Sequence, residues 1–355
     1  MDPIRVGHVR YLNAWPLVEG LESLAGLTRV PLPPAELADA LITDRVDVAL
    51  VSSADLVRSP KPLAVLGAGM IGSSGPVKTV RLFSKVPLDQ IQTIHADTES
   101  HTSVALCRTM VARATGSPPH IDPFDASASA GDDRASEDWP EALLLIGDKV
   151  ITNPPPSGVY TQDADLGALW TQATGTPMVY AVWACLAERA REAWVPAAEA
   201  LLSRQRLHNA TRLSLIARAH AHDHGWETAL AQQYNTAHVR YDLAAAARAG
   251  LRPFLAACSR IRVEALRDLI DQIRFSSPAA AARHIERAEA LAGEIQTDQT
   301  YPLEWILFRL TDYRSDEVAG LVAGQALLSD LSAIVEHLCQ HAELRRAALP
   351  EHFSL

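Results

Sequence analysis

The sequence has no Cys-x-x-Cys pair, no excess of basic charge and no long apolar run. Its four cysteines, Cys107, Cys185, Cys258 and Cys339, lie far apart. A disulfide framework or a zinc site is therefore not expected, and reduced thiols are. Lys and Arg number 32 against 42 Asp and Glu, a formal net charge of −10. Broad binding to nucleic acid or to an anionic membrane needs a basic surface, so neither partner is expected. A small anionic ligand needs only a local cluster of donors and stays open. No apolar run is long enough to span a bilayer. The opening Met1-Asp2-Pro3-Ile4 enters a strand without the basic and apolar regions of a secretory signal, which leads us to expect a cytoplasmic protein. P-loop and G-x-S-x-G motifs are missing too.

What is present is a globular composition, 48% hydrophobic and 21% charged over 355 residues, enough for two or three domains. Apolar runs of strand length alternate with helical patterns. Val6 to Tyr11, Leu27 to Pro31, Val46 to Val51 and Leu63 to Leu66 read as strands. Pro16–Leu24 and Pro33–Asp44 read as helices. Further on, strands are expected after Val77, at Thr93–Ala96, at Ala142–Ile146 and at Pro177–Ala184, with helices over Thr102–Thr115 and Asp165–Gly175. Residues 116–139 read as a loop, and Glu188 to Cys258 as mainly helical, with turns at Gly225 and Gly250. This alternation argues for a parallel α/β sheet. The order of elements further suggests two lobes, residues 1–78 with 178–258 and residues 79–177. The chain would cross between them twice, near Val77 and Met178, and the ligand would sit in the cleft.

Two motifs invite other readings. Leu63 to Gly72 resembles a strand followed by G-x-G-x-x-G, but the helix that a dinucleotide site requires is missing, because Ser73-Ser74-Gly75-Pro76 follows. His220-Ala221-His222-Asp223-His224 puts two imidazoles at i, i+4, yet no H-E-x-x-H glutamate is present. A basic helix end is the simpler account, and no metal is expected.

More informative are the polar residues at predicted strand ends: Asn13, Ser52 with Ser53, Ser73 and Ser74 with Thr79, Ser100-His101-Thr102-Ser103, and Gly147-Asp148. Ligands of open α/β sheets bind at the carboxyl ends of strands. Asn13 could face a ligand there or cap the helix that Pro16 helps to start. Ser100 or Thr102 would cap the next helix, whose N-terminal N–H groups favour a carboxylate or phosphate. Each hydroxyl taken alone also suits a turn or a cap.

Seven stretches in order carry a resemblance: Val6-Gly7-His8 through Tyr11-Leu12-Asn13 to Pro16-Leu17, Asp47 to Val51, Gly75-Pro76-Val77, Val86-Pro87-Leu88, Ser100 to Leu106, Leu145 to Asp148, and Ala181 to Ala184. With the later Tyr234, Tyr241-Asp242-Leu243, Gly250-Leu251 and Phe254, they resemble the chorismate dehydratase family of the futalosine route to menaquinone, over about residues 4–258. The resemblance implies a periplasmic-binding-protein-like (type II) α/β fold in a cytosolic enzyme. It implies a lyase that removes water from chorismate to give 3-[(1-carboxyvinyl)oxy]benzoate. No cofactor is implied, and the substrate's own enolpyruvyl carboxylate takes the proton. Asn13 and Thr79 then fall on catalytic positions. Ser52, Ser53, Ser73, Ser100, Thr102, Ser103, Gly147 and Asp148 are expected to bind substrate. Three positions depart from the family pattern: Thr79 for Ser, His101 for Arg, and Ser52 for Pro. Thr keeps the hydroxyl but restricts χ1, and His gives up the permanent guanidinium cation. A binding protein for an aromatic carboxylate is the alternative.

Residues 259–355 lie beyond the resemblance. They read as acidic helices with a buried apolar segment, Tyr301-Pro302-Leu303-Glu304-Trp305-Ile306-Leu307-Phe308. They would pack on the enzyme, on a second copy of it or on a partner.

Overall fold

The computed structural model describes residues 3–125 and 139–258. The described residues within 1–56 and 61–254 form one compact unit, which holds both sheets. The expected helical extension falls outside the described residues, as does most of the loop expected over 116–139.

The first sheet has the order β2-β1-β3-β10-β4, from Leu27–Leu32 (β2), Ile4–Val9 (β1), Val48–Ser52 (β3), Met178–Leu186 (β10) and Leu63–Ser73 (β4). The second has the order β7-β6-β8-β5-β9, from His120–Pro123 (β7), Thr93–Ala96 (β6), Ala142–Ile146 (β8), Val80–Ser84 (β5) and Gln162–Asp165 (β9). The sheets are mixed rather than parallel. β10 runs antiparallel to β3 and β4, and β5 runs antiparallel to β8 and β9. The reason is the double crossing: β4 leads out of the first sheet into β5, and β10 brings the chain back, so the crossing strands enter against the rest. β7, within the stretch read as loop, pairs parallel with β6.

β3 and β10 are buried at every residue. That is why they read as continuous apolar runs and not as alternations. The helices include Trp15–Val18 (α1), Leu37–Ile42 (α2), Asp55–Arg58 (α3), His101–Thr115 (α4), Lys149–Thr152 (α5), Leu166–Thr174 (α6), Trp194–Ala210 (α7), Leu213–His220 (α8) and Thr228–Gln233 (α9), of which α2, α4 and α6 pack on β10. The helix expected over Pro16–Leu24 is broken at Gly20, whose φ of 83° is left-handed. Ser100 caps α4 by accepting from Ser103 N at 3.3 Å, and Asp165 caps α6 through Ala168 N at 3.0 Å. The G-x-G-x-x-G segment lies wholly inside β4, where an extended backbone offers no phosphate-binding turn. Gly250 is no turn but part of a helix, and it must be glycine because an added Cβ would collide with the Pro177 carbonyl oxygen.

The amino end of the first sheet is stapled by Asp47. It accepts from Arg5 N at 2.9 Å, Arg5 Nε at 3.0 Å and Arg189 at 2.9 Å, joining the chain around β1, β3 and β10. Burial opposes the charge, but these bonds hold the carboxyl down at about 2.

Candidate active site

β1 and β3 of the first sheet, and β6 and β8 of the second, direct their carboxyl ends at one cleft of about 500 Å³, measured with its open mouth. Its lining includes Val9, Tyr11, Asn13, Ser52, Thr79, Ser100, Ser103, Ile146, Gly147 and Tyr180. Six residues expected from the sequence thus meet there although they stem from five separate segments: Asn13, Ser52, Thr79, Ser100, Ser103 and Gly147. Among the described residues, no His, Asp, Glu, Lys or Arg lines it. Hydroxyls and one carboxamide supply the polarity, and aliphatic side chains supply the rest.

The other four expected residues serve the frame. Ser53 donates to Val179 O at 2.6 Å and bonds Thr102 Oγ1 at 3.2 Å. Thr102 Oγ1 also accepts from Ala54 N at 3.0 Å. Strand geometry explains the split between Ser52 and Ser53, because successive side chains leave on opposite sides. Ser73 is fully buried and donates to Gly75 O at 3.0 Å. Asp148 gives its carboxylate to three donors: Leu12 N at 3.2 Å, His224 Nδ1 at 2.8 Å and Trp226 Nε1 at 3.0 Å. These side chains lie outside the lining and hold the walls in place.

Asn13 does not cap α1. Ala14 stands at that position, without a side-chain bond, and Asn13 sits in a 3₁₀ turn over Leu12–Ala14. Its Nδ2 donates to the Tyr234 hydroxyl at 3.2 Å, while its Oδ1 is buried and unpaired. Thr79 Oγ1 bonds the same hydroxyl at 2.8 Å. Tyr234 therefore joins the two residues expected to be catalytic, from 221 and 155 positions away. It opens a π-helical turn, Tyr234–His238, and stacks on Trp226 with ring centroids 4.9 Å apart. Burial pushes its hydroxyl above the usual range, against the bonds from Thr79 and Asn13, so it stays protonated.

The histidine cluster has a use that its sequence did not reveal. Trp15 Nε1 donates to His224 Nε2 at 2.8 Å. An indole N–H can only donate, so His224 accepts there and presents its Nδ1 proton to Asp148. His220 stacks on Trp15 at 3.5 Å and bonds Glu19 at 2.8 Å. Among the described residues no group of three or more His, Cys, Asp or Glu could hold a metal ion.

Tyr11 forms another wall. Its ring lies so close to Gly147 that a Cβ there would stand 2.7 Å from it, and Gly147 has a left-handed φ of 69°. The Tyr11 hydroxyl donates to Glu99, which Lys149 also meets at 2.9 Å. Burial opposes the Glu99 charge, but these two bonds hold its carboxyl below the usual range. His101, at the position of the family's Arg, bonds Asp55 at 2.7 Å. The sequence set missed Tyr11, Tyr180 and Tyr234. Tyr11 adjoined Asn13 in the same loop, but Tyr180 is hidden within an apolar strand.

Two mixed sheets joined by two crossings, with a polar cleft at the carboxyl ends of their strands, define a two-sheet α/β protein with a candidate site for a small molecule. A family model described as menaquinone biosynthesis matches residues 4–260, and the chain belongs to that family. The chorismate dehydratase of Thermus thermophilus is 31% identical over 266 residues, covering 72% of this chain and 94% of that protein. A solved structure from Archaeoglobus fulgidus shares the fold at a TM-score of 0.53 and 15% identity, covering 72% of this chain and 96% of that one. The periplasmic aliphatic sulphonate binding protein of Escherichia coli aligns at a TM-score of 0.48 and 11% identity, over 72% of this chain and 90% of that one. Among the described residues no helix is long and apolar enough to cross a membrane.

Proposed function

We propose that this chain is a cytoplasmic chorismate dehydratase of menaquinone biosynthesis, acting by substrate-assisted elimination. The ring carbon that bears the enolpyruvyl ether loses its proton to the substrate's own enolpyruvyl carboxylate. The C–O bond of the hydroxyl on the adjacent ring carbon breaks, the C–H electron pair completes the aromatic ring, and proton and hydroxide leave as water. The product is 3-[(1-carboxyvinyl)oxy]benzoate.

One observation carries the mechanism: among the described residues the cleft is lined by no His, Asp, Glu, Lys or Arg. The protein offers no general base there, and Tyr11 and Tyr180 are kept protonated by burial. A substrate that brings its own carboxylate needs none. The protein's part is to position the substrate and stabilise charge. Asn13 and Thr79 hold the leaving hydroxyl. Ser52, Ser100 and Ser103, with the amino end of α4, receive a carboxylate.

The test is to incubate the purified chain with chorismate and follow the aromatic protons by NMR. Product should form without any added cofactor. Tight binding of chorismate with no product would replace the enzyme with a binding protein.

A further inference from the structure

Resting on that reading, we propose that Tyr234 is a positioning residue that orients the Asn13–Thr79 pair to receive a hydroxyl group, by directing the Thr79 proton into the cleft.

The reasoning is a count of donors and acceptors. Tyr234 is 1% exposed, and among the described residues its hydroxyl bonds only Asn13 and Thr79. A phenol has one proton to give. Asn13 Nδ2 can only donate, so the Tyr234 oxygen accepts from it. The phenolic proton must then go to Thr79 Oγ1 at 2.8 Å. The reverse arrangement, with Thr79 donating, would leave a buried O–H without an acceptor, which is costly. Since Thr79 Oγ1 accepts from Tyr234, its own proton is free for the cleft, which it lines.

Asn13 contributes the opposite half. With Nδ2 committed to Tyr234, the atom left over is Oδ1, which is buried and unpaired. The site thus offers one donor, Thr79 Oγ1–H, and one acceptor, Asn13 Oδ1. An alcohol needs such a pair, since it gives one proton and accepts at its oxygen. Neither a carboxylate nor an ether oxygen can satisfy the Asn13 acceptor. Donation from Thr79 to the leaving oxygen also stabilises the charge it gains as the C–O bond breaks. The π-helical turn that begins at Tyr234 is a distortion often kept for function.

The experiment compares Tyr234→Phe in three backgrounds. Phe keeps the ring on Trp226 and removes only the hydroxyl. In the otherwise unaltered chain, kcat for chorismate should fall about tenfold or more, with KM changed by less than about threefold. The same substitution should keep that penalty in Thr79→Ser, which retains the hydroxyl. In Thr79→Val it should cost several-fold less than in Thr79→Ser, because one of the two groups it acts through is gone. An unchanged kcat, or the same loss in all three backgrounds, overturns the proposal. Should the unaltered chain consume no chorismate, the enzymatic reading fails separately. Calorimetry then decides the proposal: Tyr234→Phe should weaken chorismate by about two- to threefold and spare 3-[(1-carboxyvinyl)oxy]benzoate, which lacks the ring hydroxyl. Equal weakening of both overturns it.

Discussion

Replacing Asp148 with Asn should loosen the turn that carries Asn13 more than it harms the fold. Asp148 follows β8 of the second sheet, and its three donors come from the other side of the cleft. Leu12 belongs to the turn after β1. His224 and Trp226 belong to the segment after α8, which is anchored on α1 through the stacking of His220 and Trp15. Asn is nearly isosteric but keeps one acceptor oxygen, and its NH2 would face one of these donors. One charge-assisted hydrogen bond is lost, worth about 1.5–3 kcal/mol. Taken as about 2 kcal/mol on the arrangement that holds the Leu12–Ala14 turn against Asp148, this lowers the population of that arrangement about 30-fold relative to looser ones. For chorismate, kcat/KM should fall by about 10–30-fold in steady-state kinetics. A kcat/KM within twofold of the starting value would refute the reasoning. A lower Tm with an unchanged kcat/KM would show that Asp148 serves the fold rather than the cleft.

Three other substitutions test separate parts of the structure. Asn13→Ala should lower kcat by about 10²-fold or more while Tm stays within a few degrees, since the side chain caps nothing; steady-state kinetics with thermal melts decides this. Gly250→Ala should destabilise the protein by about 1–3 kcal/mol in urea unfolding, because its Cβ meets the Pro177 carbonyl oxygen. Asp47→Asn should alter acid stability. Folding lowers this carboxyl from 3.8 to about 2, so the folded state binds fewer protons than the unfolded one. The contribution, about 1–2 kcal/mol after allowance for solvent screening, is whole above pH ~4 and lost as the pH falls toward ~2. The variant should be less stable at pH 7, and the difference should vanish near pH 2; a constant difference across that range would contradict it.

Much of the frame can be read along the chain because it follows from local chemistry. The apolar runs of β3, β8 and β10 mark strands buried on both faces. Ser100 announces the start of α4, and the chain order separates an early group of strands from a middle one. The lack of a helix after Gly72 removes the dinucleotide motif before any coordinates are seen, and the structure places that segment within β4. Strand direction is less visible. A parallel sheet was the natural expectation, but β5 and β10 run against their neighbours because of the double crossing, which no local pattern encodes.

By itself, the sequence determined which loops end at the carboxyl side of the sheets and that hydroxyls and an amide outnumber acids and bases in them. Those features depend on residue type and on strand-length periodicity. Tertiary structure alone decided which hydroxyls face the cleft. Ser52 lines it while Ser53 ties β3 to β10, and Ser103 lines it while Thr102 holds Ala54. Side-chain direction depends on register and on what packs opposite, and both are set by partners far away in the chain. The same holds for Tyr234, which reaches Asn13 across 221 positions, and for His224, which reaches Asp148 across 76. A hydrogen bond across such a separation leaves no periodicity to detect, so its existence becomes visible only when the chain has folded.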